Sequence, residues 1–170
     1  MDYFQPKNQI NQIGLNENEI EPFAMLSFDD CAKRNQKRAE LYAKNKFIKK
    51  DTLPKLKARK NIKEKKIRLG YFSSDFCNHA MMFLLKRMFE LHNKDKFEIY
   101  AYSIVKDRKD EMYFNVKKLF KCYRNISDKS DNDIKEIVKN DKIDIAIDLN
   151  GYTGNNKAKL FFKRLAPIQI

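Results

Sequence analysis

The chain has 170 residues, 42% of them hydrophobic with 13 Phe, and a formal net charge of +13. That length fits one domain plus an extension, and the composition excludes a disordered chain. The longest apolar run, Ala80 to Leu85, falls far short of the ~20 residues of a membrane span, and the start "MDYFQPKNQINQ" is not a signal peptide, so a soluble cytoplasmic protein with no membrane partner is expected.

Residues 1–65 read as a helical extension and basic linker, and 66–170 as an α/β domain. In the extension, "SFDDCAKRNQKRAELYAKNKF" (27–47) opens with Ser27 and Asp30 at capping-box spacing and predicts a helix. The densest basic segment, "KLKARKNIKEKKIR" (55–68), follows. Lys outnumbers Arg by 28 to 8, and Asn and Ile stand at 16 each, the excess an AT-rich coding genome produces. Arg, suited to bidentate phosphate and base contacts, is scarce, and the segment has no aromatic side chain to stack on bases. A solvated linker is therefore expected, and a nucleic-acid partner is not.

From residue 66 the pattern sharpens. "KIRLGYFSS" predicts a strand, and "AMMFLLKRMFEL" a helix with Met81, Leu84, Leu85 and Met88 on one face. "KFEIYAYSI" (96–104) predicts a second strand, "DEMYFNVKKLF" (110–120) a helix and "KCYRNI" (121–126) a short strand. Ser130 and Asp133 cap a helix over "NDIKEIVKN". "KIDIAIDL" (142–149) is a strand leading into "NGYTGNN", and "KAKLFFKRL" a final helix before "APIQI". Alternating strands and helices predict an α/β fold with a doubly wound parallel sheet. Ligands of such sheets bind beyond the carboxyl ends of the strands, where loops 73–79 and 150–156 fall.

His79 is one of only two histidines and stands where a strand ends and a helix begins. A helix N-terminus disfavours the imidazolium, and a neutral ring can accept a proton or donate to a substrate oxygen. His92, in "ELHNKDK", reads as an exposed turn residue. Gly151 and Gly154 allow close backbone approach, and Asn150 and Thr153 offer hydrogen bonds. No GxGxxG, Walker or GxSxG sequence is present, so no self-contained nucleotide site or nucleophile elbow is expected. Cys31, Cys77 and Cys122 are far apart without CxxC spacing, which predicts free thiols, no metal and no cofactor.

The segments "EPFAMLS", "IRLGYFSSDFCNHAMMFLL", "LHNKDKFEIYAYS" and "IDIAIDLNGYTGNNKAKLFFKRLAPIQI" resemble the O-GlcNAc transferase family, whose relatives include SPINDLY-type fucosyltransferases. The resemblance covers residues 21–170. It implies that 66–170 are the Rossmann-like N-terminal catalytic lobe of a two-lobe GT-B glycosyltransferase that moves a sugar from a UDP-sugar donor to Ser or Thr of a protein or peptide acceptor, inverting and without metal. His79 matches the family's catalytic "NH" histidine, and Asp141 an aspartate proposed to take part in proton transfer. Asn150, Gly151, Tyr152 and Thr153 fall in the "NGYT" motif as substrate-binding candidates. Ala80 stands where animal members carry proline. The second lobe, which supplies most UDP contacts in the family, is expected to lie beyond Ile170, so these residues alone are expected to be inactive. The alternative is a non-catalytic module that binds a partner through its interlobe surface.

Overall fold

The computed structural model describes residues 11–16, 19–47 and 66–170. The chain divides into two compact units, Met1–Thr52 and Leu53–Ile170. The expected basic linker falls largely outside the described residues.

In the first unit, α1 (Pro22–Met25) is a single turn and α2 spans Ala32–Lys46. The helix does not start from the expected Ser27–Asp30 box; Cys31 is its N-cap and makes no side-chain cap. Asp29 is the reason. Its carboxylate accepts from the Cys31 amide at 3.0 Å, from Arg34 through two bonds of 2.7 Å, and from Arg38 at 2.6 Å. These hydrogen bonds, Arg34 foremost, hold the Asp29 carboxyl well below the usual carboxylate range. Arg38 is buried and also donates to the Ile13 carbonyl at 2.7 Å, which ties the preceding segment to the helix.

The second unit carries β1 (Ile67–Ser73), α3 (Ala80–Leu91), β2 (Phe97–Ser103), α4 (Glu111–Lys117), β3 (Cys122–Asn125), α5 (Asp131–Asn140), β4 (Ile145–Asp148), α6 (Ala158–Phe161) and β5 (Ile168–Gln169). The strands form one five-stranded sheet in the order β3-β2-β1-β4-β5, every pairing parallel. The Ser130–Asp133 capping box is present at the start of α5. β5 pairs Ile168 with Ile145, although two residues carry no periodicity a sequence could show. Lys142, at φ 54, makes a left-handed turn before β4 and shortens the expected strand; Arg164, at φ 56, closes the turn after α6.

Central strand β1 is buried on both faces, and alternate residues feed two cores. Phe72, Tyr102, Ile134, Val138 and Leu160 pack on the face covered by α5 and α6. Leu69, Tyr71, Ala101, Met82, Phe89 and Val116 pack on the face covered by α3 and α4. The buried side of α3 departs from expectation: Met82 and Phe89 are sealed, whereas Leu84 is 75% exposed and Met88 is exposed too. The helix is apolar almost all round, so periodicity fixed that it is a helix but not which side meets the sheet. One residue of offset turns the face by about 100°.

Candidate functional site

In a 3-2-1-4-5 sheet the strand order reverses between β1 and β4, and the loops after those strands flank the crevice where ligands bind. Here those loops are 74–79 and 149–156. They are joined by Asn150, which is buried. Its Oδ1 accepts from the Ser74 amide at 2.8 Å, and its Nδ2 donates to Ser74 Oγ at 2.7 Å. Longer contacts run from Nδ2 to Asp75 Oδ2 at 3.3 Å and to Thr153 Oγ1 at 3.4 Å.

The loop after β1 is braced from within and from α4. Ser73 Oγ accepts from the Asp75 amide at 3.0 Å, and Ser74 Oγ donates to Asp75 Oδ1 at 2.8 Å. Asp110, the N-cap of α4, accepts from the Asn78 and Tyr113 amides at 2.8 and 2.9 Å, which holds its carboxyl below the usual range. Cys77 is buried, and its thiol is pushed up by that burial. Cys31 and Cys122 are half-buried, and all three cysteines are free.

His79 is the N-cap of α3, with extended backbone (φ −144, ψ 150). Its Nδ1 accepts from the Met81 amide at 3.3 Å and lies 3.7 Å from Asp75 Oδ2; the side chain is 43% exposed. The first distance is within hydrogen-bond range and the second is not, so in this geometry Nδ1 serves the helix cap.

In the opposite loop, Gly151 adopts φ 54, the left-handed region that glycine favours, with open space where a side chain would begin. Thr153 closes the turn by donating both its amide, at 3.0 Å, and its hydroxyl, at 2.8 Å, to the Asn150 carbonyl. Tyr152 and Gly151 line a groove of about 240 Å³ together with Asp148, Phe161, Phe162 and Ile170. Burial pushes the Asp148 carboxyl up.

Asp141 is not brought to this crevice. It is the C-cap of α5, at the end of the sheet where β1 and β4 begin, and its carbonyl accepts from Arg68 near the start of β1 at 2.8 Å. Its carboxylate is buried and engaged: Arg124 donates two bonds of 2.7 and 2.6 Å, and the Tyr102 hydroxyl one of 2.7 Å. His79 and the 150–153 turn therefore share an edge, while Asp141 holds the sheet to α5. His92 also departs from the sequence reading: it is half-buried, with Nε2 2.7 Å from the Tyr71 hydroxyl. Sequence reasoning passed over Asp75 and Asp110. Both lie in polar loops, and the contacts that define them cross 75 and 32 residues, beyond any local signal.

A model of glycosyl transferase family 41 matches residues 25–170. The chain belongs to that family. Among curated relatives, the Arabidopsis thaliana protein named "Probable UDP-N-acetylglucosamine--peptide N-acetylglucosaminyltransferase SEC" is 34% identical over 106 residues, which cover 62% of this chain and 11% of that protein. Arabidopsis SPINDLY, under the same enzyme name, is 33% identical over 110 residues, covering 63% and 12%. A Caenorhabditis elegans UDP-N-acetylglucosamine–peptide N-acetylglucosaminyltransferase is 31% identical over 109 residues, covering 62% and 9%. The alignments thus span about a tenth of each relative's length. Among solved structures, a mutant of the Thermobaculum terrenum O-GlcNAc transferase superposes with a TM-score of 0.72 at 21% identity, covering 96% of this chain and 29% of that one; it shares the fold.

Among the described residues no helix is long and apolar enough to cross a membrane, and no group of three or more His, Cys, Asp or Glu could hold a metal ion.

Proposed function

We propose that the family 41 chain forms the N-terminal lobe of a GT-B protein O-glycosyltransferase, which moves N-acetylglucosamine from UDP-GlcNAc to Ser or Thr of a protein with inversion. The observation that carries this reading is His79 at the switch-point crevice of a family 41 sheet, on the same edge as the loop that holds Gly151 and Thr153. Inverting transfer needs three things at one place. The acceptor hydroxyl must be aimed at the anomeric carbon, its proton must leave as the new C–O bond forms, and the departing diphosphate must be stabilised. His79 is the group for the first two. Gly151 and Thr153 offer backbone and hydroxyl contacts to substrate, Tyr152 a ring, and Asn150 holds both loops in register. Asp141 has a scaffold role in this reading, because its carboxylate is already bound by Arg124 and Tyr102.

There is no Gly-rich phosphate loop, and the described residues hold no metal cluster. In this reading the diphosphate is met by a second lobe across the crevice. Holding donor and acceptor together in a closed cleft is worth roughly 7–11 kcal/mol, and one lobe cannot supply that. The purified chain is therefore expected to show no saturable UDP binding at millimolar ligand and no labelled peptide from UDP-GlcNAc. Fusing it to the C-terminal lobe of a family 41 relative should restore both, and His79→Ala in that fusion should abolish turnover while the fusion stays folded. Turnover by the chain alone would overturn the two-lobe reading, and full turnover of the His79→Ala fusion would overturn the site.

A further inference from the structure

His79 faces a conflict at one atom. The Met81 amide, 3.3 Å from Nδ1, is a donor and needs that nitrogen unprotonated. Asp75 Oδ2, 3.7 Å from the same Nδ1, is an acceptor and needs it protonated. A neutral imidazole carries a single N–H, so the two neighbours demand opposite tautomers. With Nδ1 turned to Met81, the ring shows the crevice an Nε2–H donor. With Nδ1–H turned to Asp75, it shows a lone pair. A ring movement of under ~1 Å would close the Asp75 contact to hydrogen-bond length.

The carboxylate that competes for Nδ1 is held in place. Asp75 is mostly buried on its side chain, its Oδ1 is fixed by the Ser74 hydroxyl, and its amide is fixed on Ser73 Oγ. Asn150 Nδ2 also reaches Oδ2, at 3.3 Å, so the loop after β4 shares the atom that His79 would use.

We infer that Asp75 is a positioning residue of this crevice, the group that decides whether His79 offers a proton or accepts one. The consequence for catalysis rests on the transfer reading above. With Nδ1–H on Asp75, Nε2 can take the proton of an acceptor hydroxyl. In the same step that oxygen bonds to the anomeric carbon, and the bond from that carbon to the diphosphate oxygen breaks with its electron pair. The resulting imidazolium then faces a carboxylate. With Nδ1 on Met81, His79 can only donate to an oxygen and cannot act as the base.

The tautomer itself belongs to the chain and needs no donor sugar to be read. In the uniformly 15N-labelled chain at alkaline pH, long-range 1H–15N correlations report which ring nitrogen of His79 carries the proton. The wild type should show shifts averaged between the two tautomers. In Asp75→Ala the Nδ1–H population should fall by about threefold or more, the change that one net hydrogen bond gives. The Met81 amide should become correspondingly better protected from exchange, because its cap is no longer contested. Asp75→Asn keeps the loop's size and carries the test if the alanine variant does not fold. It should shift the ring the same way, since a neutral amide oxygen accepts more weakly than a carboxylate. Identical ring shifts in the wild type and the folded variants would overturn the inference. Failure of the fused enzyme to turn over would leave this readout untouched, so the two ideas fail separately.

Discussion

At the scale of single residues, the two histidines have opposite settings. His79 stands at the crevice, half in solvent, while His92 is packed where α3 ends, its ring near Tyr71 and Phe97. Burial lowers the His92 pKa below its ordinary value, and the Tyr71 hydroxyl, itself pushed up to about 12 by burial, keeps its proton and shares a 2.7 Å hydrogen bond with Nε2. The folded chain therefore holds His92 neutral at pH values where the unfolded chain protonates it. Because the unfolded state then binds more protons, stability is present above the ordinary histidine range and is lost as pH falls through the lowered folded value. Each pH unit in that window can remove at most about 1.4 kcal/mol. Urea midpoints at pH 7.5 and 5.5 should show wild type losing more stability than His92→Gln over that interval. Equal losses would mean that His92 is solvated enough to charge freely. The sequence showed a histidine in a polar turn; it could not show a tyrosine 21 residues earlier hydrogen-bonded to it.

Among the elements, β1 carries the fold. Gly70 lies in its middle, and a Cβ there would meet Tyr102 Cε2 at 3.0 Å and Ile143 Cγ2 at 3.1 Å. The Tyr102 ring crosses β1 over that glycine, stacks on Phe72 at 4.5 Å between centroids, and ends on Asp141. Neither end of Tyr102 is free to give way. Gly70→Ala should therefore destabilise by about 1–3 kcal/mol, the range for overpacking a tight core, and Tyr102→Leu in the same chain should relieve part of that loss. A neutral Gly70→Ala in urea denaturation would show that the ring moves easily. Much of this layer was legible: β1, β2, α3 and α5 announce themselves through strand composition, helical spacing and the Ser130–Asp133 box. What stayed hidden were features decided by tertiary contact. Examples are the side of α3 that is buried, the two-residue β5, and the start of α2, which Asp29 sets through Arg34 and Arg38. The crevice was half legible for the same reason. His79 and Asn150 stand at strand ends that any α/β pattern marks, but the Ser74–Asn150 clamp joins residues 76 apart.

For the molecule as a whole, the question is which part holds itself together. Every member of both hydrophobic clusters lies at residue 67 or beyond, one cluster on each face of the same sheet. Among the described residues, the crevice loops are likewise braced from within this unit, through Asn150, Asp110 and the two serines. Two filled faces and a closed ladder of parallel strands are what a domain of about 100 residues needs for cooperative folding. A chain trimmed to residues 66–170 should therefore unfold in a single urea transition, with a slope of about 1–3 kcal/mol/M and a near-ultraviolet signal from its packed tyrosines. Folding should be slow for its size, because β1 joins β4 only after the whole α3-to-α5 excursion is complete. A trimmed chain that binds hydrophobic dye and loses its near-ultraviolet signal while keeping helix content would be a molten globule, and would show that the sheet depends on residues before 66. If the transition is cooperative, the His79 ring measurements can be made on the trimmed unit, free of the basic segment that precedes it.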